Sequence, residues 1–448
     1  MTTVVADAMT VADDEMTAHV VAEVVEGAMT GAVDKTTLKN GVRIVSRRID
    51  HVRSVSMGVW VDAGARDEAV MEGGLSHFIE HMLFKGTEKR SSYDIAKAFD
   101  AIGGQTNAFT SMENTCYHAR VMDEHLGTMA DLLSDIFLNS TFSEDEVENE
   151  RPVILSEIGM VEDNPEDYIH TLLEERFWGD HALGRSILGT REQIQGYGRD
   201  DLVRFFSHLY QPDRILISCA GHVDHDEILS LLAPAFEGIK ARDGFPKRDV
   251  PTPSSGVKVL SRDIEQTHVS LAWPGLPVTH EMRFASSLMN TILGGNMSSR
   301  LFQEIREKRG LAYNVYSFTA SYVDTGMVGL YAGVTPDKVE ECLEVTKAEL
   351  ERLCEHGVDE ETLAEAKAFT KGNILLASES VDSQMARLAS SEFHFGRQIP
   401  MDEVVAQIEA VTTEEVRKVA EMAFTQKPAV GVLGLDPSEE KIRNVFGI

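Results

Sequence analysis

Residues 75–83 read Leu75-Ser76-His77-Phe78-Ile79-Glu80-His81-Met82-Leu83. At about 100° per residue, His77, Glu80 and His81 fall within one arc of a helix, and the apolar side chains occupy the opposite arc. Two imidazoles one turn apart suit a tetrahedral Zn²⁺ ion, and a carboxylate beside them can accept a proton from water. The stretch therefore predicts an amphipathic helix with one face in a core and the other at a metal site.

A third ligand is needed, because two surface histidines and a glutamate also arise by chance. Glu157 is a candidate, in an acidic segment that begins with the capping pattern Ser143 to Glu146. Glu150 and Glu157 lie two helical turns apart and project from one side, whereas Pro152 is expected to bend the helix. The spacing alone does not distinguish a helix that supplies a metal ligand from an acidic helix that is simply exposed to solvent.

The stretch Gly73–Thr87, the later Asn107-Ala108-Phe109-Thr110, and then Glu150 and Glu157 together resemble the pitrilysin or inverzincin family. Within it the chain is most similar to the mitochondrial processing peptidase β subunit and its short bacterial relatives, from about Leu38 to near the C-terminus. The resemblance implies one Zn²⁺ held by His77, His81 and Glu157. It also implies that Glu80 is the catalytic base and that Glu150 supports the site from behind the ligands.

Composition narrows the class of protein. The chain has 448 residues, 43% of them hydrophobic, which fits two soluble domains of ordinary size. Its four cysteines show no Cys-x-x-Cys spacing, so a reducing, cytoplasmic location is expected. A net charge of −31 disfavours nucleic acid as a partner, and no apolar run is long enough for a membrane span.

Residues 1–34 contain no Lys or Arg and seven acidic residues. A secretory signal begins with basic residues and a mitochondrial presequence is rich in Arg, so neither is predicted. We interpret residues 1–34 as an acidic N-terminal extension that is flexible or loosely helical.

The remainder is interpreted as two copies of one plan. Residues 35–237 form the predicted metal-binding catalytic domain, residues 238–256 a linker rich in Pro, Gly and charge, and residues 257–448 a second domain. A helix followed by a strand recurs at an offset of about 214 residues, at 199–220 and at 413–434, and the hairpins at 104–121 and 312–333 correspond similarly.

Each half mixes alternating strands with amphipathic helices, which predicts an α+β fold with a mainly antiparallel sheet and helices packed on one side. The segment Ser286–Leu293, equivalent to the metal-binding helix, has neither His nor acid, so one zinc per chain is expected. The family resemblance implies that the two homologous domains face each other as a clamshell around a chamber.

Substrate contacts are expected at two places. The residues Gln105 to Thr110 follow a turn and could form an ordinary edge strand; the resemblance implies that Asn107, Ala108 and Phe109 pair with a substrate backbone. A predicted helix ends at Gly310, and the resemblance implies that Arg306 and Tyr313, seven residues apart, reach the bound peptide. Here Gly294-Gly295 is followed by Asn296 where the family often has a third glycine.

The expected function is that of a zinc-dependent endopeptidase acting on peptides or unfolded segments, including cationic ones. The chain is expected to work as a homodimer without nucleic acid or membrane. Two alternatives remain open: a non-catalytic structural or peptide-binding subunit of a larger assembly, and an active subunit that needs a different partner chain.

Overall fold

The computed structural model describes residues 32–241 and 244–448. Residues 1–31 of the predicted acidic extension lie outside the described residues. The first strand begins at Val33, two residues before the predicted start of the catalytic domain.

Eleven strands are formed in the described ranges. They are β1 Val33–Thr37, β2 Arg43–Arg48, β3 Ser54–Val61, β4 Gln105–Thr110, β5 Thr115–Met122, β6 Ile215–Gly221, β7 Gly256–Ser261, β8 Thr267–Gly275, β9 Ala312–Ser321, β10 Gly326–Val334 and β11 Ala429–Gly434.

Fifteen α-helices accompany these strands in the part of the chain that the structure describes. They are α1 Leu75–Met82, α2 Ser92–Ala101, α3 Leu126–Asn139, α4 Glu144–Asp163, α5 Pro165–Trp178, α6 Arg191–Gly196, α7 Arg199–Leu209, α8 His225–Phe236, α9 Arg283–Gly294, α10 Val339–His356, α11 Glu360–Ser378, α12 Val381–Phe395, α13 Met401–Ala410, α14 Thr413–Phe424 and α15 Glu439–Phe446.

The strands form two sheets with one topology. The first has the order β1-β2-β6-β3-β5-β4 and the second the order β7-β11-β8-β10-β9. If β2 to β6 are matched in chain order with β7 to β11, the two orders coincide, and β1 is an addition to the first sheet. In each sheet one parallel pair, β2 with β6 and β7 with β11, joins otherwise antiparallel neighbours. The predicted α+β architecture with two homologous domains is confirmed.

Each sheet packs its own helices on one face. Phe78 of α1, Met129 of α3, Phe205 of α7 and Ile228 of α8 belong to the first core. Leu288 of α9 and other residues of the second half form the equivalent core. These buried faces come from the amphipathic pattern that the sequence shows, because burying apolar surface is the main favourable contribution to folding.

The opposite face of each sheet is covered by a helix from the other half. Met385 and Leu388 of α12 pack against Trp60 and Leu216 of the first sheet. Reciprocally, Leu173 and Phe177 of α5 pack against the second sheet, in a cluster that includes Ala272 and Ala429. This exchange adds a second helical layer to the predicted arrangement, and it joins the two halves through apolar contacts.

None of the helices in the described ranges combines the length and the apolar character that a membrane crossing requires.

Candidate metal centre

The helix that carries the two histidines begins at a glycine and is anchored by a buried acid. Gly74 precedes α1 with φ of +87°, a conformation that favours glycine. The backbone N–H groups of Gly74 and Ser76 donate to the Glu68 carboxylate at 2.9 and 2.8 Å. Burial raises the pKa of Glu68 to about 8, although these donors act in the opposite direction. Glu68 thus satisfies N–H groups at the start of α1, where Gly74 has no side chain to do so.

The predicted division of α1 into two faces is present. Leu75, Phe78, Ile79 and Met82 are buried in the first core. The imidazoles of His77 and His81 lie side by side on the other face, with their Nε2 atoms 3.2 Å apart.

The third member of the cluster comes from α4. This helix begins at Ser143, whose hydroxyl accepts the N–H of Glu146, and it continues through Pro152 without interruption. Its residue Glu157 places Oε2 3.5 Å from Nε2 of His77 and 3.4 Å from Nε2 of His81. Three potential ligand atoms from two distant segments therefore converge at one point.

The cluster has the dimensions of a zinc site. Ligand atoms about 2.0–2.1 Å from a tetrahedral Zn²⁺ ion are about 3.3 Å from one another, and the three measured separations are 3.2, 3.4 and 3.5 Å. Oε2 of Glu157 is buried without a hydrogen-bond donor among the described residues. A buried carboxylate oxygen needs a donor or a cation, so His77, His81 and Glu157 fit zinc by geometry and by chemistry.

Glu150 lies behind His81 and is almost fully buried. Its Oε1 accepts from Nδ1 of His81 at 2.8 Å, and its Oε2 accepts from Nζ of Lys85 at 2.6 Å. Burial would raise the pKa of Glu150, but these two donors hold it below the usual value. The contact leaves Nε2 of His81 facing the cluster, which is how a carboxylate orients a ligand histidine. Sequence reasoning found Glu150 and missed Lys85, although Lys85 follows His81 by one helical turn.

The two imidazoles have different charge environments. Burial, and then the neighbouring charge of His81, lower the pKa of His77 to about 4. Burial acts on His81 in the same direction, but its hydrogen bond to Glu150 and the nearby carboxylates Glu157 and Glu80 raise its pKa above the ordinary value. Neutral His77 is already in the form that binds a metal.

Glu80 lies on the same face of α1 as the two histidines, but its carboxylate is not part of the cluster of His77, His81 and Glu157. The Glu80 carboxylate lies near Thr110, the last residue of β4, whose hydroxyl donates to the backbone oxygen of Ser76 at 3.5 Å. Burial raises the pKa of Glu80 and Glu157 raises it further, against the effect of Thr110 and His81. A carboxylate with a raised pKa beside the cluster has the properties of a proton acceptor.

Strand β4 is the edge of the first sheet next to this site. In the described part of the chain it pairs with β5 alone, and side chains along it alternate between exposed and partly buried. Asn107, Ala108 and Phe109 lie in the middle of the strand. Phe109 packs edge-on against Trp60 with ring centroids 5.5 Å apart.

Arg306 and Tyr313 lie against each other in the second half. The guanidinium of Arg306 lies 4.7 Å from the ring centroid of Tyr313, which is 75% exposed. The helical segment Phe302–Glu307 has π-type hydrogen bonding, and Gly310 follows it with φ of +62°. The contacts of Arg306 are with Phe302, Glu307 and Tyr313, and none of these residues belongs to the metal cluster.

A cavity of about 520 Å³ is lined in part by Thr110, the last residue of β4. Its walls come from both halves of the chain: Met112, Glu174 and Ile187 on one side, Tyr322 and His394 on the other. A cavity between the halves therefore adjoins the end of β4, and its lining does not include His77, Glu80, His81 or Glu157.

Two family models match the sequence. The model described as "Insulinase (Peptidase family M16)" matches residues 43–191, which include all three converging side chains. The model described as "Peptidase M16 inactive domain" matches residues 197–369.

Curated proteins match over almost their whole length. An uncharacterized zinc protease from Streptomyces coelicolor is 41% identical, with 90% of both chains covered. The uncharacterized zinc protease YmxG from Bacillus subtilis is 39% identical over 90% of this chain and 98% of its own.

Among solved structures, a protease from Helicobacter pylori has a TM-score of 0.85 at 22% identity and covers 90% of this chain and 99% of its own. A peptidase M16 inactive domain from Pseudomonas fluorescens has a TM-score of 0.84 at 19% identity, with coverage of 91% and 98%. These two structures support the fold.

Proposed function

Because this chain belongs to peptidase family M16, we propose that it is a zinc-dependent endopeptidase with one metal site, in the first half. The observation that carries the proposal is the convergence of Nε2 of His77, Nε2 of His81 and Oε2 of Glu157 to mutual distances of 3.2–3.5 Å. Zinc bound there would act as a Lewis acid on the scissile carbonyl and make water a better nucleophile.

Glu80 is assigned the role of proton acceptor and donor. It takes a proton from the attacking water and returns it to the leaving amine, so the peptide bond breaks with no net change at the carboxyl group. Its raised pKa suits both steps, because a general base that must also act as an acid works best when its pKa is near the working pH. Glu150 holds His81 in position and takes no part in the proton transfers.

Substrate binding is assigned to β4 and the adjoining cavity. A peptide that adds to the free edge at Asn107, Ala108 and Phe109 would gain main-chain hydrogen bonds whatever its side chains. Thr110, at the end of this edge, lies near Glu80 and lines the cavity, so a peptide paired there would pass close to the proposed base. The chamber between the halves suits peptides or unfolded segments, and the acidic character of the chain favours cationic ones.

Arg306 and Tyr313 are proposed to reach the peptide from the second half. Their cationic and phenolic donors could hold a substrate carbonyl, and Tyr313 is exposed enough to do so. We further propose a cytoplasmic homodimer that needs no other chain.

The test is peptide hydrolysis by the purified chain. A mixed peptide library is incubated with the wild type, with and without a chelator, and with Glu80→Gln, and cuts are mapped by mass spectrometry. We expect cuts only with metal, and a rate reduced at least about 100-fold by Glu80→Gln while zinc content stays near one per chain. Glu144→Gln, at an exposed position on α4, is the matched control. Full activity of Glu80→Gln, or hydrolysis that survives metal removal, would exclude the mechanism.

A further inference from the structure

The two helices that supply the converging atoms are both held by a third segment. Residues 185–197, here called the bracket segment, comprise a loop and helix α6. They contact the chain just before α1 and they contact α4. None of their side chains belongs to the metal cluster.

On the α1 side, the bracket segment fixes the residues that precede the helix. The hydroxyl of Tyr197 donates to the backbone oxygen of Gly73 at 2.8 Å, and the backbone oxygen of Met71, at 3.1 Å, can share the same proton. The amide of Gln193 donates to the backbone oxygen of Val70 at 2.8 Å. At Gly189, with φ of +70°, an added Cβ would lie 2.4 Å from the Gly73 oxygen, so the two backbones are in close contact.

On the α4 side, the same segment is held by side chains of the helix. Arg151 donates from Nη2 to the backbone oxygen of Tyr197 at 2.7 Å, and from Nη1 to that of Ile194. In return, Arg191 of the segment donates from Nη2 to Oε2 of Glu162 at 2.6 Å. Within the bracket segment, Tyr197 therefore contacts both sides. Its hydroxyl bonds the chain before α1, and its backbone oxygen accepts from Arg151 of α4.

We propose that Tyr197, through Arg151, is a positioning residue that sets the separation of α1 and α4 and so gives the cluster its affinity for zinc. This rests on the proposed function, because it assumes that His77, His81 and Glu157 bind the metal. Ligand atoms must be held to within about 0.5 Å, and loss of a group that hydrogen-bonds a metal ligand typically costs about 10- to 100-fold in affinity. Tyr197 acts one contact further from the metal, so the lower end of that range is expected. Tyr197 is 9% exposed, so its hydroxyl bonds are shielded from water.

The test is zinc affinity of the metal-free full chain, measured by competition with a chromogenic chelator. Tyr197→Phe removes the hydroxyl and keeps the ring, and we expect zinc binding about 10-fold weaker than in the wild type. Tyr331→Phe is the matched control, since Tyr331 is 2% exposed and its hydroxyl bonds Nδ1 of His268 at 2.8 Å in the second half. The control should bind zinc as the wild type does, and the two metal-free variants should unfold at similar temperatures.

A second variant keeps the test decisive if Tyr197→Phe does not fold. Arg151→Lys retains the charge but cannot donate to two carbonyls in a fork, so it should weaken zinc binding similarly. Combining it with Tyr197→Phe should cost little more than the stronger single change, because both act through one connection. If the wild type binds zinc and a folded variant binds it equally well, the positioning role of Tyr197 is overturned and the proposed function still stands. Absence of zinc binding by the wild type would overturn the proposed function and this inference with it.

Discussion

The guanidinium of Arg66 and the carboxylate of Asp324 pair across the two halves of the chain, with nitrogen to oxygen distances of 2.7 and 2.9 Å. Arg66 also donates to Glu113 at 2.6 Å, and Glu113 accepts the backbone N–H of Val323 at 3.0 Å. Glu113 lies in the turn between β4 and β5, and Asp324 in the turn between β9 and β10. The tips of two equivalent hairpins are therefore held together by one buried arginine.

Asp324→Asn should loosen this contact. The arginine side chain is 1% exposed and would lose its strongest partner from the other half, so we expect the free energy of unfolding to fall by about 1–3 kcal/mol. Urea denaturation at neutral pH measures the change, with Asp337→Asn, at an exposed position, as control. Equal stability of the two variants would show that the pair contributes nothing.

Glu150→Gln should weaken zinc binding and leave the fold intact. The amide can still accept from Nδ1 of His81, but the negative charge that raises the basicity of His81 is gone, and Lys85 loses its ion pair. We expect affinity about 10-fold lower, measured by chelator competition on the metal-free chain. Glu144→Gln on the same helix should bind zinc normally. Wild-type affinity in Glu150→Gln would remove Glu150 from the proposed site.

Much of the site follows from local sequence. The faces of α1 depend only on helical periodicity, and the segments 199–209 and 413–424 are helical as their apolar spacing indicated. The family resemblance, and not the spacing, selects Glu157, because nothing local tells which face of an acidic helix meets a helix much earlier in the chain.

What sequence could not supply depends on contacts between distant segments. Arg66 and Asp324 are 258 positions apart, and neither sits in a motif that distinguishes it from a surface charge. The exchange of α5 and α12 between the sheets is also invisible locally, since an amphipathic helix does not specify which sheet it covers. Glu68 was missed for the same reason: a carboxylate that binds the start of a helix from six residues upstream has no fixed spacing.

Glu174 should make stability depend on pH. It lines the cavity, and burial, followed by the charge of Glu175, raises its pKa to about 7. Between its ordinary value of 4.5 and about 7, the folded chain keeps a proton that the unfolded chain has lost. Below pH 4.5, Glu174 therefore causes no loss in the free energy of unfolding. The free energy of unfolding falls as the pH rises from 4.5 to about 7, and above that pH the loss stays constant.

Glu174→Gln removes this dependence. The free energy of unfolding of the variant minus that of the wild type should increase by on the order of 2 kcal/mol from pH 5 to pH 8. Thermal or urea unfolding at the two pH values gives the difference, and Glu88→Gln, at an exposed position in the same half, is the control. A difference between variant and wild type that is the same at both pH values would contradict the raised pKa.

The pairing of β4 with β5 identifies which residues face the free edge. Ser111 donates its N–H to the backbone oxygen of Asn114 across the turn. Because hydrogen-bonded and non-bonded pairs alternate in an antiparallel ladder, Phe109 and Asn107 also bond β5, and the N–H groups of Thr110 and Ala108 point outward. The N–H of Ala108 donates to the side-chain Oδ1 of Asn107 at 2.9 Å, which agrees with its outward direction.

Ala108→Pro should therefore weaken peptide binding without disturbing the sheet. Proline is tolerated on an edge strand and removes the outward N–H, which a bound peptide would take over from Oδ1 of Asn107. The loss of that hydrogen bond predicts about 3- to 10-fold weaker binding. The dissociation constant of a peptide is measured by calorimetry in the Glu80→Gln background, together with zinc content, which should not change. Ala108→Val keeps the N–H and controls for bulk at this position. If the valine variant loses as much affinity as the proline variant, shape and not main-chain pairing governs binding at β4.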